Sequence, residues 1–102
     1  PDLQGEWLGS FGGDPGAQLN LTDDGDVLSG LLTTPLGANS RRSRVVGNWD
    51  PEVGHWILTD EVQAPGSGWY EMKLDEDGIL IGEFHHADDT GTVRLVLVKV
   101  GK

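Results

Sequence analysis

The chain has 102 residues, enough for one domain, and its 17 acidic against 7 basic side chains give a formal net charge of -10 at pH 7. That balance argues against a surface that tracks the phosphates of nucleic acid or the headgroups of anionic lipid, and its plain consequence is solubility. The lack of cysteine excludes a disulfide framework, a thiolate metal site and a thiol nucleophile, and no apolar run approaches the roughly 20 residues of a membrane-spanning helix.

The chain opens on Pro1-Asp2 without the pattern of a signal peptide, so a soluble chain is expected, with no compartment indicated. Sixteen glycines and five prolines punctuate stretches rich in β-branched and aromatic residues. That composition predicts many short strands joined by tight turns, and no segment holds a helical period for more than a turn or two.

The first strand is expected over residues 3–12, with Leu3, Gly5, Trp7, Gly9 and Phe11 on one face. Small residues around a single indole fit a strand that runs through the floor of a closed barrel. Residues 12–16 are dense in turn formers and lead to a second strand at 17–22. Asp23-Asp24-Gly25-Asp26 turns the chain into a third strand at 27–34, which Pro35 is expected to end. After an irregular connection over 36–41, further strands are expected at 42–49, 55–62, 69–74, 79–87 and 92–100, each pair separated by a Gly-, Pro- or Asp-rich turn.

Eight strands with short connections predict an all-β fold, an eight-stranded antiparallel up-and-down β-barrel forming one domain over residues 1–102. Closure removes the open edges, with the aliphatic last strand beside the first. A sandwich would need longer crossing connections.

Three short motifs give this chain a likeness. Gly5-Glu6-Trp7 resembles the Gly-x-Trp of the first strand in calycin-like barrels, the group that includes lipocalins and avidins. The 24–30 stretch, ending Leu28-Ser29-Gly30, resembles the second hairpin of avidins, and Gly47-Asn48-Trp49-Asp50 is similar to their Gly-x-Tyr-Asp with Trp for Tyr. Ile81-Gly82-Glu83-Phe84 is similar to a later Gly-x-aromatic strand, and Leu95, Leu97 and Val100 fit the ending of short bacterial lipocalin-like domains, some inhibitory to proteases and some appended to hydrolases. The resemblance implies a ligand-holding or partner-binding barrel. Where avidins carry the polar clamp for biotin this chain has Gly9, near Ser10, and Gly13, so the resemblance extends to architecture and away from biotin.

If the glycines of these motifs mark the inner face, Trp7, Trp49, Trp56, Tyr70 and Phe84 point inward with His86 near a rim. These six are the expected ligand-binding residues of any internal cavity, and a plain packed core is the competing reading. The aliphatic side chains of Leu28, Leu32, Val45, Leu58, Met72, Leu74, Leu80, Leu95 and Leu97 share that face. Trp69 and Ile57 fall on the opposite face and are interface candidates. Arg41, Arg42 and Arg44, three of the seven basic residues, form a cluster suited to a carboxylate, a phosphate or an acidic partner patch.

Neighbouring strand residues point to opposite faces, so His85 and His86 cannot ligate one metal together. His86 with Asp88, or His85 with a neighbouring strand, are the pairings that remain, and no metal and no cofactor are expected. The Asp-rich turn at 75–78 fails as a calcium loop, because counting back from Gly78 puts Lys73 at the first ligand position and Phe84 where the bidentate Glu belongs. No nucleophile elbow, phosphate loop or His-Glu-x-x-His element occurs. The expectation is a non-catalytic binding or interaction domain holding a small apolar or aromatic ligand. The alternatives are a filled barrel that docks on a protein partner or a second copy, a protease-inhibitor-like barrel, and a cyclase or isomerase that works by shaping its substrate. No nucleic-acid partner and no membrane insertion are expected.

Overall fold

A computed structural model of the chain describes residues 3–24, 27–36, 39–50, 52, 54–61, 67–86 and 91–100. Its eight strands are β1 (Gly5–Phe11), β2 (Asp14–Asp23), β3 (Leu28–Leu36), β4 (Asn39–Asp50), β5 (His55–Asp60), β6 (Gly68–Leu74), β7 (Ile79–His86) and β8 (Thr92–Lys99). Each runs antiparallel to its chain neighbour, and β8 pairs with β1 to close the barrel. No helix of the described residues is long and apolar enough to cross a membrane.

Several strand bounds differ from the sequence expectation. Leu3 and Gly12 lie outside β1, and β2 starts at Asp14 because Ser10 pairs with Pro15 and Phe11 with Asp14. The register jumps there, from Gly9 opposite Ala17 to Ser10 opposite Pro15, and the extra residue Gly16 takes φ +107°, the bulge geometry that bends a strand at a barrel rim. Pro35 does not end β3, which continues to Leu36. Pairing with β2 stops at Thr33, and beyond it β4 alone runs beside β3, so a residue without an N–H is tolerated. Strand β5 stops at Asp60, and Val62 lies outside the described residues, as does Ala87 after β7.

Alternate residues of each strand fill the inside. Leu19, Leu80, Leu95 and Leu97 have no exposed surface, and Trp7, Tyr70 and Phe84 keep 2% each. A void open to a ligand would leave accessible area on these side chains, so they pack against one another. At one barrel end the Trp7 indole Nε1–H donates to the Leu3 carbonyl at 2.9 Å, which folds the segment before β1 over the opening and buries Leu3. The hairpins at that end each begin with an aspartate. Asp24 accepts the Val27 N–H, Asp50 the Glu52 N–H, and Asp75 the N–H groups of both Asp77 and Ile79, all near 2.9–3.0 Å. Three of the 17 acidic side chains are therefore turn chemistry.

Truncation of Trp7 to alanine removes the plug and its anchoring bond together, and should cost about 3–5 kcal/mol. Urea denaturation checks it: the midpoint falls while the slope stays that of the parent protein.

Candidate functional site

Inside the barrel the aromatic residues form two groups. Phe84, on β7, lies 4.8 Å from Tyr70, 6.0 Å from Phe11 and 4.7 Å edge-on from His86, measured between ring centres. At the other end Trp49 and Trp56, paired across β4 and β5, meet edge to face at 4.6 Å. Strand alternation puts Trp49 on the same side of the sheet as buried Trp56, but at the barrel end, where 46% of it stays exposed. Of the six aromatic and histidine residues expected inside, Trp7, Trp56, Tyr70 and Phe84 are buried, His86 is half-buried and Trp49 is exposed.

The end opposite Trp7 carries a buried polar group that composition and motif do not mark. Asp60, 2% exposed, accepts the Gly68 N–H at 2.9 Å and the Tyr70 hydroxyl at 3.2 Å, while the Arg41 guanidinium stands 3.8 Å from the same carboxylate. Arg41 also donates to the Ser67 hydroxyl at 3.5 Å, and Ser67 and Thr34 are buried. A buried carboxylate is expensive unless paired and hydrogen-bonded, and here both conditions are met. A signal for it exists in the sequence: Asp60 falls two residues after Leu58, on the face shared with Trp56. Strand alternation also splits the arginine cluster, because Arg41 turns inward to Asp60 while Arg42 and Arg44 lie outside.

On the outside, Trp69 is 37% exposed and stacks flat on His85, with ring centres 4.1 Å apart and planes 10° apart. Ile57 is half-buried on the same wall, directly opposite Glu71. Donor atoms of Glu71, Glu83 and His85 converge within 4.8 Å of one another on this face, an arrangement of side chains that could hold a metal ion. The sequence leaves His85 with a neighbouring strand as one possible pairing but does not say which acids meet it, since that depends on the register of β6 against β7. No protein-family model, curated protein or solved structure matches the chain.

Burial, followed by the negative charge of Asp60 and the hydrogen bond to it, raises the Tyr70 hydroxyl well above its ordinary value, with Arg41 opposing in part. The unfolded phenol ionises near pH ~10. The raised folded value means that the stability contribution is complete below that pH and is lost as pH climbs above it. Tyr70 is the single tyrosine of the chain. Phenolate absorbance should therefore stay silent through the range where free tyrosine titrates and appear together with unfolding; a phenolate signal from folded protein near pH ~10 would refute the placement.

Proposed function

We infer that the chain is a non-catalytic, calycin-like β-barrel interaction domain that works through the outside of its wall and that a second copy of the same chain occupies that surface. The observation that carries this reading is an apolar stripe across β7, β8 and β1. Leu8 and Val98 are direct cross-strand partners on the outer face, 45% and 54% exposed. Ile79 pairs with Val98 and Ile81 with Val96, which continues the stripe, and Val100 adds a further exposed side chain at its end. Charged residues flank it at Glu6, Lys73, Glu83 and Arg94. Exposed apolar patches of this kind on small domains mark contact surfaces.

Two considerations favour a second copy. In a chain of net charge -10, the stripe is a face on which an equally acidic molecule can approach with the least charge repulsion. A two-fold axis through Val98 would lay the stripe of one copy on the same stripe of the other, a self-complementary contact. The closure of the inner side chains on one another supports a filled barrel over a carried ligand.

Sedimentation equilibrium tests the reading. The parent chain should be a dimer, and Val98→Glu or Leu8→Glu should give a monomer with unchanged circular dichroism, because neither side chain is in the core. A parent chain that stays monomeric at high concentration, or a Val98→Glu variant that stays dimeric, would overturn it. A small molecule retained in native mass spectrometry would count for the ligand-holding alternative.

A further inference from the structure

We propose that Glu71, Glu83 and His85 form a binding site for a divalent transition-metal ion with the ligand preference of zinc, and that His55 is the positioning residue that holds Glu71 in place. The site lies on the outer face of β5, β6 and β7 and borders the self-association stripe at Glu83, but neither proposal is argued from the other.

The register brings the donors together. Glu71 and Glu83 are directly opposite across β6 and β7, and His85 lies two residues after Glu83 on the same face. Like charges in that relation repel unless something positive sits between them. Arg94 is the cross-strand neighbour of Glu83 and, with Lys73, lines the same open groove of about 230 Å³. Even so, Glu83 has no ion-pair partner among the described residues.

The His85 ring supplies the second observation. Its Nε2 atom is completely buried and has no hydrogen-bond partner, although Glu71 Oε1 is only 3.3 Å away. The two atoms are close enough for an ion pair and misaligned for a hydrogen bond. A metal ion between them resolves the mismatch. With metal–nitrogen and metal–oxygen bonds of roughly 2.0–2.1 Å, the edge of a coordination tetrahedron is about 3.3–3.4 Å, the separation of this one pair, while the three donors together lie within 4.8 Å of one another. The other oxygen of Glu71 meets His55 Nδ1 at 3.2 Å, the outer hydrogen bond that orients a ligating carboxylate. Trp69, stacked on His85, fixes the plane of the imidazole.

Imidazole together with carboxylate selects zinc-like ions over calcium and magnesium, which prefer all-oxygen shells. Three protein donors leave one tetrahedral position facing the groove, open to water or to a small anionic ligand. The competing arrangement on the same residues is a set of ion pairs between protonated histidines and Glu71, with no metal.

Zinc chloride titrated into chelator-stripped parent protein by calorimetry, at a pH where histidine is neutral, separates the two. One ion per chain should bind and raise the melting temperature. His85→Gln and Glu83→Gln should each weaken binding by about tenfold or more, and His55→Gln by a smaller factor. His86→Gln, on the inner face, should bind as the parent does. All four variants should keep the parent's circular dichroism, which positions outside the buried core permit. No saturable uptake by the parent would overturn the proposal, as would parent-like affinity in both His85→Gln and Glu83→Gln, or calcium and magnesium binding as tightly as zinc.

Discussion

The barrel depends on how closely its neighbouring backbones can approach on the inside of the wall. At Gly9 and Gly47 a β-carbon would fall on the carbonyl oxygen of the adjacent strand, Val96 in one case and Ile57 in the other. Glycine there is what lets a sheet of only eight strands curl tightly enough to close. Once it is closed, inward positions are few, so a large side chain such as Trp7 or Phe84 sits among residues that give up volume. The tight core and the small inner residues are one geometric solution.

The polar residues are sorted by the same wall. Among the described residues one carboxylate, Asp60, enters the interior, and its acceptor oxygens are met by a backbone N–H, a phenol and a nearby guanidinium. Other acids serve in hairpins, where an aspartate side chain substitutes for the backbone acceptor that a two-strand turn cannot offer. The strongly negative composition thus carries less functional information than its size suggests. The informative carboxylates are Glu71 and Glu83, which serve no turn and face each other across two strands.

Period-two alternation makes the strands, the hairpins and the buried faces legible in the sequence, and it suffices to put Trp7, Trp56, Tyr70 and Phe84 inside. The same alternation holds the key to Arg41, which parts from Arg42 and Arg44 because neighbouring residues face opposite ways. Pro35 misleads because proline's exclusion from strands weakens where only one neighbour runs alongside. The convergence of Glu71, Glu83 and His85 is beyond reach for a different reason. Alternation says which side of a strand a residue occupies, whereas contact across strands depends on register, and a shift of one residue would dissolve the cluster. Trp49 shows the remaining gap: its face is legible, but its position at the end of the barrel, and hence its exposure, is set by the length of the wall.

Seven of the eight strand contacts join segments adjacent in the chain, and only the seam between β1 and β8 joins its two extremes. The hairpins can form early and locally, but the seam has to close a loop of nearly the whole chain before its hydrogen bonds offset the lost entropy. Until then β1 and β8 each present a bare edge, and Leu95 and Leu97 lack the cover of the opposite wall. Those two edges are complementary between molecules as much as within one, so a slow seam favours pairing of the last strand of one chain with the first strand of another. The seam that completes the native barrel is also where its two edges stay uncovered until the last strand is in place.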